Sequence, residues 1–240
     1  MAFVSNRSGR DAIWLAKPGA APTRLLDGEG GLLRSLSFSP DGSRLTVTHV
    51  SPQHVRVRVL TVEGSDITSF EVKNIGVGAP TWTPDGKALV LFDDAADCYL
   101  RVEVADTRHR TKLPNCEWDG IVYRPNGVFG ARVDKPGVWR LDGAAPRLLN
   151  AKYPPRYDAL LTFRGDDILI PEFGAGITPK ILAQPVAGGP DRVLGYAPGA
   201  SYQSALGATP IAVNPQTQEV FYTAEIGRDP NIDLLTLVRR

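Results

Sequence analysis

A repeated strand–turn–strand segment is the sequence feature that most constrains the fold. Three copies share a proline turn, and two weaker copies follow them. In chain order the copies are SLSFSPDGSRLTVTHV (35–50), APTWTPDGKALVLFDD (79–94), GIVYRPNGVFGARVD (120–134), ALLTFRGDDILIPEF (159–173) and PIAVNPQTQEVFYTA (210–224). The turn prolines Pro40, Pro84 and Pro125 are 44 and 41 residues apart. Self-similarity at such a period predicts a repeat architecture.

Each copy has the composition of a β-hairpin. Alternating apolar residues predict half-buried strands, proline presets φ in the turn, and Asp and Gly complete the turn. A third strand and often a fourth follow each hairpin. Four antiparallel strands in each repeat predict a blade of a β-propeller. A solenoid is less consistent with these repeats, because its units are generally shorter or helical, and a β-sandwich would not repeat its sequence.

The repeats predict an all-β fold, a six-bladed β-propeller of four-stranded antiparallel blades in a single domain, 1–240. The predicted blades span about 2–30, 31–73, 74–113, 114–150, 151–198 and 199–240. The first blade lacks its innermost strand and the last lacks its outermost strand. We therefore expect the sequence to be part of a longer protein that supplies the missing strands. Open blade edges would also allow dimerisation by strand exchange.

Charge and hydropathy argue against two classes of partner. The chain has 27 Lys and Arg against 26 Asp and Glu, a net charge of +1. No global field therefore attracts it to nucleic acid, and we expect no direct nucleic-acid binding by this domain. Its longest apolar runs, such as ALVLF (88–92), are far too short to span a bilayer, so we expect no membrane insertion of this chain.

Two segments carry a resemblance to a known family. FVSNRSGRDAIWLA (3–16) and FSPDGSRLTV (38–47) resemble the WD40-like repeats of the TolB propeller family. That family includes periplasmic TolB, which binds partner proteins, propellers that cap serine peptidases, and C-terminal sensor domains of membrane-anchored winged-helix transcriptional regulators. The chain is most similar to the last group. The resemblance implies a non-catalytic, periplasmic sensory or interaction domain of a bacterial regulator.

The sequence offers little for catalysis. No G-x-S-x-G motif is present, and His49, His54 and His109 are expected in solvated polar loops. The alternative function is a metal-dependent six-bladed hydrolase or lactonase, which would need several oxygen ligands to converge. Its candidate ligands are Asp93, Asp94, Asp97, Glu117, Asp119, Asp158 and Glu172. No spacing forces these carboxylates together, so we predict no catalytic residue, metal or cofactor.

The strand order predicts where a ligand binds. Loops that join second and third strands lie on the same face as the connectors between blades, and these are the longer, more varied segments. Aromatic and charged residues there suit an interface with a protein or small-molecule ligand. The candidate binding residues are Trp118, Asp119, Tyr153, Arg156, Glu172 and Tyr202. The alternative for the aromatic residues is that they pack between blades or plug the channel mouth.

The two cysteines fall on the same predicted face. Cys98 begins a third strand, and Cys116 lies in the next connector. This placement predicts a disulfide that closes a short loop, and a disulfide favours a compartment outside the cytosol. The alternative is a pair of buried thiols that pack as small apolar side chains.

Overall fold

The computed structural model describes residues 2–17, 20–73, 80–132, 134–151, 161–172, 178–200, 211–214, 216–225 and 232–236. Within these ranges the secondary structure consists of antiparallel β-strands without an α-helix. No helix long and apolar enough to cross a membrane occurs in the described residues.

The strands of the first half form three sheets, each a meander of sequential antiparallel strands. The first sheet has three strands, β1 (Ala2–Ser5), β2 (Ala12–Leu15) and β3 (Thr23–Asp27). The second has four, β4 (Leu32–Phe38), β5 (Arg44–Val50), β6 (Val55–Thr61) and β7 (Asp66–Val72). The third also has four, β8 (Thr81–Trp82), β9 (Ala88–Asp93), β10 (Cys98–Glu103) and β11 (Arg110–Lys112).

The second half repeats the pattern. The fourth sheet contains β12 (Gly120–Arg124), β13 (Gly127–Ala131), β14 (Val138–Arg140) and β15 (Arg147–Asn150). The fifth contains β16 (Thr162–Arg164), β17 (Asp167–Glu172), β18 (Lys180–Pro185) and β19 (Arg192–Tyr196). The sixth has three described strands, β20 (Ile211–Val213), β21 (Val220–Glu225) and β22 (Ile232–Thr236). The prediction of an all-β propeller built from antiparallel four-stranded sheets is confirmed.

The chain divides into two compact units. One comprises residues 1–118 with 123–126, and the other comprises 119–122 with 127–240. The first unit therefore holds the first three sheets, and the second unit holds the last three apart from the end of β12 and the turn that follows it. The single-domain organisation, the count of six blades and the dimer through open edges stay predictions.

The proline turns have a common side-chain framework. Ser39 Oγ donates to Asp41 Oδ1 at 2.5 Å, and the same carboxylate oxygen accepts the Ser43 amide at 3.1 Å. Thr83, Asp85 and Lys87 repeat the arrangement in the next sheet, at 2.6 and 3.1 Å. The glycine that follows each aspartate has a positive φ, 72° at Gly42. The recurring S/T-P-D-G sequence is thus explained by turn geometry.

These turn bonds predict a pH dependence. Hydrogen bonds from Ser39 and Ser43 lower the pKa of Asp41 from 3.8 to about 2. A carboxyl group with a lowered folded-state pKa stabilises the fold above pH 3.8, and this contribution is lost as pH falls toward 2. We expect Asp41→Asn to make the urea midpoint less dependent on pH between 4 and 2. The same dependence of the urea midpoint on pH in Asp41→Asn and the wild type would contradict the lowered pKa of Asp41.

Hydrophobic clusters fill the space between neighbouring sheets of each unit. In the first unit, Ile13, Leu45 and Val47 join the first and second sheets. The second and third sheets share a larger cluster, formed by Val55, Val57, Val59, Phe70, Val72, Trp82, Leu89, Leu91, Leu100, Val102 and Val104. In the second unit, Phe129 and Phe163 belong to a cluster between the fourth and fifth sheets. A further cluster joins the fifth and sixth sheets.

An arginine also links the turns of the second and third sheets. Arg44 Nη2 donates to the Gly86 carbonyl at 2.9 Å, and its guanidinium lies 4.8 Å from the centre of the Trp82 ring. Trp82 Nε1 in turn donates to the Ser37 carbonyl at 3.2 Å. In the second unit, Arg164 Nε donates to the Gln218 carbonyl at 2.9 Å and links the fifth and sixth sheets in the same way.

Truncation of Arg44 tests this link. We expect Arg44→Ala to lower the free energy of unfolding by about 2 kcal/mol, because it removes a charged hydrogen bond and a cation–π contact. Urea unfolding followed by tryptophan fluorescence measures the change. The matched control is Arg10→Ala at an exposed loop position, which should leave the midpoint near that of the wild type. Equal losses of unfolding free energy in Arg44→Ala and Arg10→Ala would contradict a stabilising link through Arg44.

Candidate binding surface

The loops and connectors at one end of the first unit form the candidate surface, called here the connector end. It comprises residues 28–31, 51–54, 94–97 and 113–118. Strand register places the first two segments together, because Leu32 pairs with Val50 and Val50 with Val55. In the third sheet, Cys98 pairs with Asp93, and the Leu113 amide donates to the Tyr99 carbonyl at 2.9 Å.

A disulfide holds two of these segments together. Cys98, fully buried at the start of β10, is bonded to Cys116 in the connector, with the two Cα atoms 4.3 Å apart. Lys112 Nζ adds a hydrogen bond of 3.2 Å to the Ala96 carbonyl. The connector after β11 is thereby fixed beside the β9–β10 loop, so this part of the surface is covalently constrained.

The Asp93 carboxylate bonds within the β9–β10 loop itself. Asp93 is buried, and its Oδ1 accepts the Ala95 amide at 2.9 Å while its carbonyl accepts the Ala96 amide at 3.1 Å. Asp97 has a positive φ of 46°. Among the described residues, no three His, Cys, Asp or Glu side chains are grouped closely enough to hold a metal ion. Asp158, another candidate ligand, lies outside the described residues.

The candidate binding residues differ in their surroundings. Trp118 is buried, and its Nε1 donates to Glu117 Oε1 at 3.1 Å. Asp119 is exposed, and its amide donates to the Ala131 carbonyl at 3.2 Å. Glu172, at the end of β17, forms an ion pair of 3.0 Å with Lys180. Tyr153, Arg156 and Tyr202 lie outside the described residues. The burial of Trp118 matches the alternative in which it packs inside the fold.

The prediction of a solvated loop position for His49 is wrong. His49 lies within β5 and is only 7% exposed, with Nε2 2.9 Å from the Gly28 carbonyl oxygen. A Cβ atom at Gly31 would overlap the His49 ring, so the glycine leaves room for it. The alternation Leu45, Val47, His49 places the imidazole on the apolar face of β5, and this signal was present in the sequence.

Ion pairs neutralise the outer strands of the second sheet. Arg56 forms an ion pair with Glu71 at 2.9 Å. Arg58 forms one with Asp66 at 2.7 Å and a second with Glu29 at 3.7 Å. The hydrogen bond from Arg56 holds the pKa of Glu71 below its usual range. The bond to Asp66 raises the pKa of Arg58, whose side chain is only 12% exposed. These charges are therefore paired with one another along the sheet.

Comparison with known proteins gives the fold class alone. No protein-family model matches the chain, and no curated protein matches it. Among solved structures the chain is similar to TolB from Acinetobacter baumannii, with a TM-score of 0.71 and 19% identity over 98% of this chain and 60% of that chain. The fold is a TolB-like β-propeller.

Two further solved structures are also similar to the chain. The tricorn protease has a TM-score of 0.62 at 14% identity, over 93% of this chain and 24% of that one. A chain of the nidogen/laminin complex has a TM-score of 0.58 at 16% identity, over 90% of this chain and 82% of that one. The chain thus spans 60% of TolB and about a quarter of the tricorn protease.

Proposed function

We propose that this chain is a non-catalytic binding propeller that takes a protein or small-molecule ligand on its connector end. The observation that carries the proposal is the Cys98–Cys116 disulfide, which fixes the β9–β10 loop to the next connector. Rigid loops on a β-scaffold are the usual location of binding residues. A preorganised surface also loses less conformational entropy when it binds a ligand.

The proposed compartment is the bacterial periplasm. Disulfides persist in oxidising compartments and are rare in the cytosol. Similarity to TolB is consistent with this location. The resemblance of FVSNRSGRDAIWLA and FSPDGSRLTV to regulator-linked propellers supports a sensory domain of a longer, membrane-anchored transcriptional regulator.

Protein binding is the favoured form of this function. A similar chain was solved as part of the nidogen/laminin complex, and this likeness supports protein binding as the form of the function. The alternative function, a metal-dependent hydrolase, would require several oxygen ligands to converge on one ion. The structural likeness to the tricorn protease concerns the fold and not its chemistry.

Site-specific photocrosslinking in the native host tests the proposal. A benzophenone amino acid replaces Asp94 or Glu117, two exposed residues of the connector end, in the full-length protein. The control position is Lys87, which is exposed at the opposite end of β9. We expect a discrete partner adduct from Asp94 and Glu117 and none from Lys87. Equal labelling from all three positions, or no adduct from Asp94 and Glu117, would contradict the proposed binding surface.

A further inference from the structure

The outer edge of the third sheet carries a second candidate interaction surface. β11 lies at the end of the strand order β11-β10-β9-β8, so only one of its edges is paired within the described sheet. All three residues of β11, Arg110 to Lys112, are exposed. Arg108, which is ion-paired with Asp106, and His109 precede the strand and are exposed as well. This basic edge adjoins the connector end, because Lys112 bonds the Ala96 carbonyl there.

The hydrogen-bond register shows which backbone groups face outward. The Glu103 amide donates to the His109 carbonyl at 3.2 Å, and the Leu113 amide donates to the Tyr99 carbonyl at 2.9 Å. In an antiparallel ladder the bonded residues alternate, so 109, 111 and 113 direct their backbone groups toward β10. Arg110 and Lys112 therefore direct their N–H and C=O groups away from the sheet.

Within the part of the chain that the structure describes, no carboxylate forms an ion pair with the two cations of β11. Arg110 Nη2 donates to the Glu71 carbonyl at 3.2 Å and Nε to the Thr107 carbonyl at 3.1 Å. Lys112 Nζ donates to the Ala96 carbonyl. Because a carbonyl group is neutral, these hydrogen bonds orient the two side chains without compensating their positive charge.

The outer strands of two other sheets, β7 and β19, show the opposite arrangement. On β7, Asp66 and Glu71 pair with arginines of β6, and Arg192 on β19 pairs with Asp167. Positive charge on an edge strand repels a second copy of the same strand. It attracts an acidic strand, since complementary charge favours association. The edge is therefore unsuited to self-pairing.

We propose that β11 binds an extended acidic segment of a partner protein by strand addition. The outward N–H and C=O groups of Arg110 and Lys112 would continue the ladder, as in other cases where a peptide adds to a sheet edge. Side chains two residues apart share one face of a strand. The partner segment should accordingly carry acidic residues at alternating positions, opposite the guanidinium of Arg110 and the ammonium of Lys112.

Fluorescence anisotropy with a labelled peptide tests the charge requirement. The probe is an alternating Glu–Val peptide of roughly ten residues, and the control peptide has Lys in place of Glu. We expect the acidic peptide alone to bind, and Lys112→Glu to weaken its binding by about tenfold. Arg147→Glu on β15 makes the same charge change at another exposed outer strand and should leave binding unchanged. No binding, or equal weakening by Arg147→Glu, would overturn the proposal.

A proline substitution tests the strand addition itself. Lys112→Pro removes an outward N–H group and leaves the β10–β11 bonds intact, whereas Lys112→Ala keeps that group. We expect Lys112→Pro to bind the peptide about fivefold more weakly than Lys112→Ala, since a backbone hydrogen bond is lost. Equal affinities would overturn strand addition. So would equally tight binding of an oligothymidylate, which would indicate a general polyanion surface. Unfolding midpoints of all variants confirm that they fold.

Discussion

Removal of the disulfide is expected to destabilise the protein strongly. We expect Cys98→Ala/Cys116→Ala to lower the free energy of unfolding by about 3 kcal/mol, because the bond closes a loop with a sequence separation of 18. Urea unfolding of the oxidised wild type and the double variant measures the difference. The connector end should also lose order, since the segment around Cys116 is no longer fixed to β10.

A reductant provides the matched control for this prediction. Dithiothreitol should lower the wild-type midpoint toward that of the double variant, and it should leave the variant's own midpoint unchanged. Coincident curves for the oxidised wild type and the variant would contradict a stabilising role of the disulfide.

The second large effect is expected in the core of the second unit. Phe129 is fully buried, and its ring centre lies 5.1 Å from that of Phe163. The pair joins the fourth and fifth sheets. We expect Phe129→Ala to cost about 3–5 kcal/mol, because it leaves a cavity where the largest fully buried side chain of the described residues stood. Thermal unfolding by circular dichroism and urea titration measure the loss.

Leu148→Ala is the matched control in the same unit. Leu148 lies on β15 and is 43% exposed, so its truncation should change stability by no more than about 0.5 kcal/mol. A loss for Phe129→Ala as small as that of Leu148→Ala would show that the fourth and fifth sheets do not pack through this pair.

Much of the fold could be predicted from local sequence. Turn chemistry in FSPDGSRLTV identifies the β4–β5 hairpin, because proline, aspartate and glycine each have one physical role there. Alternation in VRVRVLTV predicts β6, which the structure places at Val55–Thr61. The number of blades depends on closure between distant parts of the chain, and local patterns do not determine such closure.

The candidate surface was less predictable, because tertiary contacts decide it. Trp118 was chosen for its position in a connector, yet the residue is buried. His49 was expected to be solvated and is instead buried, with its ring bonded to the Gly28 carbonyl in the connector before β4. The link from Arg44 to Gly86 joins residues of two repeats, and no single repeat reveals it. Placement of Cys98 and Cys116 on one predicted face, by contrast, required only the strand order.

The thiol state of the native protein in its host is the most direct test of an extracytoplasmic binding propeller. Cells are quenched with acid, and free thiols are labelled with a polyethylene-glycol maleimide before gel analysis. Because the chain has two cysteines, Cys98 and Cys116, full reduction before labelling should add two labels to this domain. The account predicts no label on these residues without prior reduction. Two labels without reduction would place the domain in a reducing compartment and contradict the account.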